Sequence, residues 1–448
     1  MAKRPSIQYV CSNCGAMTTS WNGKCPQCGE WNTLIEQLPL ASISGSIAKG
    51  SALNPQTLQK SITKDAKRIQ TSIEQIDAIF GGGIVIGSVN LIAGQPGIGK
   101  STLLLQIASK VSKNNPVLYV SGEESAHQIG MRAERIGVSS SNLQIATSNS
   151  ADDIAATVAG AKYSLVIVDS IQTITCSAIS SQAGSVSQIT NSTQLLVQAA
   201  KQSNTALIVV GHVTKEGSIA GPKVLEHLVD VVLQLEGDTY GGFKILRATK
   251  NRYGSTDETG IFEMVELGLK SVDNPSAALL SERMVSDGSI VLATMEGTRP
   301  LLVEVQALVN KTSFGYPKRA ASGFDLTRLN LLIAMMERRT KLSLSDCDIY
   351  INIAGGIQVK EPAADLAICM AIGSAAKGFA LKQDAVVFGE VGLSGEVRQV
   401  THIEKRINEA KKLGFKSAIG PDPKKNKLIG LAGVKDIKSA LNNYLEKG

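Results

Sequence analysis

A chain of 448 residues with 42 glycines, 4% aromatic residues and a formal net charge of +7 has room for two or three domains and suits α/β enzymes with tight loops. The charge permits an anionic partner such as nucleic acid without demanding one. No N-terminal apolar h-region and no apolar run of membrane-spanning length is visible, so no secretory or transmembrane segment and no membrane partner are expected.

Seven cysteines form no disulfide framework: four cluster near the N-terminus, while Cys176, Cys347 and Cys369 are scattered. That usage points to a reducing, cytoplasmic compartment and one metal site. Cys11-x-x-Cys14, ten residues, then Cys25-x-x-Cys28 place four thiolates around one ion, as structural Zn2+ requires. No His competes as a ligand, and neither knuckle follows a strand and opens a helix as a redox pair does. Residues 1–37 therefore read as a zinc ribbon that unfolds when its metal is removed. Trp21 and Trp31 are expected to pack against the knuckles rather than to stack on nucleic acid. Residues 38–63, rich in Ser, Ala, Gly and Gln, read as a linker.

Thr71 to Phe80 reads as a short amphipathic helix ended by Gly81-Gly82-Gly83. An apolar run, Val89 to Ala93, then leads into Gly94-Gln95-Pro96-Gly97-Ile98-Gly99-Lys100-Ser101-Thr102, and Leu103 to Ala108 leads out as a helix. G-x-x-x-x-G-K-S between a strand and a helix is a phosphate-binding P-loop. Its glycines let backbone N–H groups converge at the positive end of a helix dipole. Lys100 is expected on the β- and γ-phosphates of ATP, and the Ser101 hydroxyl on Mg2+.

Val117 to Val120 is a buried strand ending in Ser121-Gly122-Glu123-Glu124-Ser125. Glu123, at the tip of a parallel strand, is the candidate to orient or deprotonate the attacking water. Glu124 is equally well read as favourable charge in a first helical turn. Tyr163 to Ser170 is an apolar strand ending in one acid, the Walker B pattern, so Asp169 is expected to hold Mg2+ through its water shell. The polar stretch from Thr173 to Gln194 is too long for an ordinary connection and reads as a functional loop. Ala206 to Gly211 is a further strand ending at His212, which either senses the γ-phosphate or is merely hydrogen-bonded at a strand end. Two antiparallel strands, Val231 to Glu236 and Phe243 to Thr249, precede Lys250-Asn251-Arg252-Tyr253-Gly254. Lys250 and Arg252 either reach a neighbouring subunit's phosphate or are surface charges at a turn.

This order of P-loop, Gly-Glu-Glu-Ser, Walker B, polar loop, strand-His-loop and Lys-Asn-Arg-Tyr-Gly resembles the core of RecA-type ATPases. With the four-Cys ribbon attached, it resembles the bacterial RadA (Sms) family of DNA-repair ATPases over nearly the whole chain. Tyr253 stands where that family usually has Phe. The resemblance implies Glu123 as catalytic carboxylate, His212 as γ-phosphate sensor, and Lys250 and Arg252 acting across a subunit interface. It also implies that the loops Gly184 to Gln188 and Thr214 to Lys223 face DNA in a central channel. The first of these has no charged residue between Thr173 and Gln194, which leaves backbone N–H, Ser and Gln groups for phosphate.

Beyond a variable segment, Ser271 to Gly288, a second domain opens with paired strands, Ser289 to Thr294 and Leu301 to Val309. The helix Leu326 to Thr340, the strand Asp348 to Ala354, a helix to about Lys377, the segment Val386 to Arg398 and the helix Ile403 to Leu413 follow. This half resembles the proteolytic domain of Lon proteases, an α+β, ribosomal protein S5 domain 2-like fold. The Lon nucleophile falls at Ala363 and its lysine at about Glu404, so peptide hydrolysis by that Ser–Lys pair is expected to be absent. Lys405, Arg406, Lys411, Lys412, Lys416, Lys424, Lys425 and Lys427, with Lys311, Lys318 and Arg319, either contact DNA or are solvated surface.

The expected architecture is a ribbon, an α/β RecA-like domain at 64–275 with a mainly parallel sheet, and the Lon-like domain at 283–448. The resemblance implies a DNA-dependent ATPase of recombinational repair and the stress response: a hexameric ring moving on single-stranded and branched DNA, with RecA recombinase as partner and a nucleoid location when bound. An ATP-gated DNA-binding scaffold and a Lon-type protease are the competing readings.

Overall fold

The computed structural model describes residues 8–11, 16–37, 57, 67–160, 162–212, 223–237, 242–313, 315–381, 385–423 and 430–445. The chain forms two compact units, Met1–Asp65 and Ala66–Gly448. Among the described residues no helix is long and apolar enough to cross a membrane.

In the first unit, β1 (Gln8–Cys11), β2 (Met17–Thr18) and β3 (Leu34–Gln37) make an antiparallel sheet in the order β2-β1-β3. Among the described residues its buried core is Cys11, Cys25 and Leu34, with Tyr9, Ala16 and Cys28 packed against them. Trp21 and Trp31, expected from sequence to pack against the knuckles, are instead 57% and 68% exposed.

The second unit opens with β4 (Arg68–Ile69), α1 (Glu74–Ile79) and β5 (Ile84–Val85). The Asp77 carboxylate accepts from both the N–H and the hydroxyl of Thr71, at 2.8 Å each, which closes the turn into α1. Alternating strands and helices follow: β6 (Val89–Gly94), α2 (Lys100–Ser112), β7 (Val117–Ser121), α3 (Ala126–Arg135), β8 (Leu143–Thr147), α4 (Ala151–Gly160) and β9 (Leu165–Asp169). Next come α5 (Val186–Ser203), β10 (Ala206–His212), α6 (Lys223–Leu228), β11 (Val231–Gly237), β12 (Phe243–Asn251), β13 (Thr259–Val265) and β14 (Gly268–Ser271).

These strands form one sheet in the order β14-β13-β12-β11-β6-β10-β9-β7-β8. From β8 to β11 neighbours run parallel; from β11 to β14 they run antiparallel. Helices cover both faces, which is why β6, β7 and β9 are buried along their whole length and read as unbroken apolar runs. The strand order puts the tips of β6, β7, β9 and β10 side by side, as open α/β sheets do around a ligand.

One expected loop is largely helix. Of the stretch Thr173 to Gln194, residues from Val186 onward belong to α5, whose first turn is capped by the Ser185 hydroxyl. Gln188, expected to face DNA, is 2% exposed. It binds the Cys176 N–H and the carbonyls of Ile179 and Ser181. The other expected DNA-facing loop, Thr214 to Lys223, lies outside the described residues apart from the helical backbone at Lys223.

After α7 (Pro275–Leu280), a second sheet is built from β15 (Ser289–Glu296), β16 (Arg299–Lys311), β17 (Arg319–Ser322), β18 (Cys347–Ile353), β19 (Ala385–Val387), β22 (Ser417–Pro421) and β23 (Leu431–Val434). The short pair β20 (Glu390–Val391) and β21 (Val397–Arg398) stands beside it. The order is β17-β18-β16-β15-β19-β22-β23. α8 (Leu326–Thr340), α9 (Asp365–Lys377), α10 (Ile403–Lys412) and α11 (Ile437–Tyr444) pack around its single core. The β15–β16 turn is fastened to the first sheet. Arg247 pairs with Glu296 at 2.7 Å, the Thr259 hydroxyl donates to the Glu296 carbonyl, and the Thr298 N–H donates to the Asp257 carbonyl.

Arg406 is no DNA contact. It is fully buried, its guanidinium forks onto both Glu361 oxygens at 2.8 and 2.7 Å, and it also donates to the Ala293 and Thr401 carbonyls. Lys424, Lys425 and Lys427 lie outside the described residues. Arg406→Leu strands the Glu361 charge and is expected to cost about 3–5 kcal/mol. A urea titration followed by circular dichroism should show the C-terminal transition at markedly lower denaturant than in the parent.

Candidate nucleotide site and metal centre

The site is built where β6 turns into α2. Gly97 and Gly99 hold φ of 77° and 111°, a backbone that only glycine adopts without strain. A Cβ at Gly97 would meet no atom within 4 Å, whereas one at Gly94 would come 2.7 Å from the Leu235 carbonyl oxygen. The loop borders a cavity of about 330 Å³ lined by Pro96, Gly97, Gly99, Lys100, Ser101, Thr102, Ser121, Glu123, Glu124, Arg132, Arg135, Asp169 and His212. Gln95 and Ile98 complete the loop, with Ile98 buried beneath it.

Lys100 is 4% exposed, and its ammonium donates to the carbonyls of Gly94 and Gln95, both at 2.8 Å. Burial lowers its pKa to about 8, against the opposing pull of Asp169 and Glu123. Asp169, at the tip of β9, accepts the Tyr119 hydroxyl at 2.6 Å. Burial and the Asp169 charge push the Tyr119 hydroxyl well above its usual range, so it stays protonated and must donate. Glu123 is fixed from two sides. Its Oε1 accepts the Ser170 hydroxyl and lies 3.5 Å from His212 Nε2. The Ser121 hydroxyl accepts the N–H groups of Glu123 and Glu124, which shapes the turn that carries both acids.

Glu124 is held by Arg132, as befits a charge-pairing residue beside the site. Arg132 and Arg135 of α3 are cavity residues that the sequence reading passed over. Ser121 also lines the cavity unannounced, and Tyr119 and Ser170 support it from behind by bonding Asp169 and Glu123; all three sit in or beside apolar strands.

Lys250 and Arg252 are not brought into the cavity. The Lys250 ammonium donates to the carbonyls of Glu226 and Val229 at the end of α6, and burial lowers its pKa. Arg252 pairs at 3.0 Å with Asp230, whose other oxygen accepts the Val89 N–H at the start of β6. The Arg252 side chain remains 55% exposed. Tyr253 also interacts through its hydroxyl with Asp230, a use for the atom that phenylalanine lacks.

In the ribbon, the sulfurs of Cys11, Cys25 and Cys28 lie within 4.8 Å of one another, two of them 3.6 Å apart. The Cys28 N–H holds the Cys25 thiol below its ordinary pKa and so favours the thiolate. Cys14 lies outside the described residues. Three converging thiolates in this geometry fit zinc.

Comparison with known proteins agrees with this layout. Residues 9–36 match the rubredoxin metal binding domain, 54–218 the AAA domain, and 330–424 the ChlI subunit of Mg-chelatase. The chain is 47% identical to the DNA repair protein RadA of Aquifex aeolicus, over 92% of this chain and 93% of that one. It is 46% identical to the protein of the same name in Bacillus subtilis, over 99% of this chain and 100% of that one. A more distant likeness is the crystal structure of the RadB recombinase, with TM-score 0.37 and 22% identity, covering 46% of this chain and 100% of that one.

A lysine lowered to about 8 carries the cost of its buried charge below that pH, and the cost fades as pH rises toward 10.5. A bound triphosphate relieves it by favouring the charged form. Nucleotide binding near pH 8 is therefore expected to take up a proton fraction that disappears near pH 6.5. Calorimetry in buffers of different ionisation enthalpy measures it, and Lys100→Met should abolish it.

Proposed function

The chain belongs to the RadA family of DNA repair proteins, and on that premise we propose that it is a DNA-dependent ATPase motor. It translocates on single-stranded DNA as a hexameric ring and drives branch migration of recombination intermediates, with a RecA recombinase as partner. The chain is an ATP hydrolase of the RecA-like class that uses ATP with Mg2+ and carries Zn2+ in its ribbon.

The observation that carries the reading is the meeting of Lys100, Glu123, Asp169 and His212 around one cavity. In this reading the P-loop N–H groups and Lys100 hold the β- and γ-phosphates of the substrate. Ser101 and Asp169 hold Mg2+, which supplies charge against the phosphate oxygens. Glu123, with Oε1 occupied by Ser170 and His212, offers Oε2 to the attacking water and takes its proton. His212, at the tip of β10 and 3.5 Å from that carboxylate, senses whether a γ-phosphate is present. Lys250 and Arg252 act on a neighbour's nucleotide; their support is their place outside the chain's own cavity and the exposure of Arg252.

Nothing at the Lon positions offers a rival chemistry. Ala363 is buried and has no nucleophilic atom, and Glu404 lies exposed on α10.

The decisive experiment is strand displacement and branch migration on a forked DNA, comparing the parent chain with Lys100→Ala. ATP-dependent movement by the parent alone is expected. DNA binding without movement by either overturns the motor in favour of a scaffold. The Tyr119 hydroxyl aims the Asp169 carboxylate, so Tyr119→Phe is expected to raise the Mg2+ concentration for half-maximal ATP hydrolysis several-fold while kcat at saturating Mg2+ falls far less. A Mg2+ titration at fixed ATP separates the two.

A further inference from the structure

The only two tryptophans in the 448 residues both lie in the ribbon, and both are exposed, Trp21 by 57% and Trp31 by 68%. Indoles bury a large apolar area when they find a partner, so two of them side by side in water mark a surface that something covers. They converge on Gly23. A Cβ there would sit 3.6 Å from the Trp31 ring and 3.9 Å from the Trp21 ring, so both rings lie within contact distance of this one position. Lys24 pairs with Trp31 across an antiparallel bridge and carries its ammonium over that ring, 5.7 Å from the centroid.

We propose that Trp21, Gly23, Lys24 and Trp31 form a stacking platform for an unpaired nucleotide of single-stranded DNA. The exposed indole surface takes the base, and the Lys24 ammonium, held over the Trp31 ring, takes its phosphate. The charge decides the occupant. A flat aromatic opening edged by a cation complements a base and its anionic backbone, and every base offers a π-face whatever the sequence. The platform rests on the reading of this chain as a single-strand DNA binder and names one surface that performs it.

Because both tryptophans belong to the platform, intrinsic emission of the full-length, zinc-loaded chain reports on this surface alone. Oligothymidylate added to the protein is expected to quench that emission saturably. The midpoint should match that of the anisotropy of an end-labelled oligothymidylate, which reports binding anywhere on the chain. Trp21→Ala with Trp31→Ala should weaken oligothymidylate binding about fivefold or more, the factor one lost stacking contact is worth. Trp21→Phe with Trp31→Phe should restore most of it, and retained zinc shows that the ribbon of each variant is folded. Rising anisotropy with unchanged emission, and unchanged affinity in the alanine variant, overturns the platform and assigns the indoles to a protein partner, while DNA binding elsewhere stands. No change in either signal overturns the DNA-binding reading and the platform together.

Discussion

The nucleotide site depends on one buried positive charge. Lys100 sits inside the loop that it terminates and donates hydrogen bonds to that loop's own carbonyls at Gly94 and Gln95. Ammonium and loop therefore brace each other before any phosphate arrives. Desolvation makes the charge costly, and the carboxylates of Asp169 and Glu123 partly offset that cost. Each carboxylate is in turn aimed by a hydroxyl, Tyr119 for one and Ser170 for the other. The charges are held in place by neutral donors that add no net charge of their own, which keeps the field in the cavity ready for an anion.

What could be read in the sequence was whatever depends on local requirements. A P-loop needs glycine where φ is 77° and 111°, and a zinc ribbon needs thiols at fixed spacing, so both announce themselves. Doubly covered parallel strands leave unbroken apolar runs, so β6, β7, β9 and β10 were visible too. What stayed hidden depends on register between strands far apart in the chain. Tyr119 meets Asp169, and Ser170 meets Glu123, only because β7 and β9 lie next to each other with Ser121 opposite Asp169. In the sequence the two hydroxyls look like strand filler. Arg132 was hidden for another reason. The apolar stripe of α3, Ile129 and Ala133 followed by Ile136, marks the face turned to the core and does not tell which polar residue reaches the cavity.

Where structure and sequence pattern part, polar or aromatic composition is a poor guide to environment. The stretch before Gln194 looked like loop because its residues are small and polar, yet Ser185 caps a helix there and Gln188 is an internal strut. The size of the indoles suggests that Trp21 and Trp31 pack against the knuckles, yet both stay more than half exposed. Arg406 looked like surface because arginines usually are, yet Glu361 and two carbonyls satisfy it inside the second sheet's helical layer. In each case the arrangement of partners decided, and partners are a property of the fold.

The β15–β16 turn bears on how the two sheets behave together. Gly297 lies so close to Asp257 that a Cβ there would fall 1.8 Å from its carbonyl oxygen, and Glu296 and Thr298 on either side are bonded to the first sheet. Asp257 follows the Lys250–Gly254 segment by only a few residues. A fit this tight admits no side chain at Gly297, so any larger residue there must push the β15–β16 turn off the edge of the first sheet and loosen the bonds on either side of it.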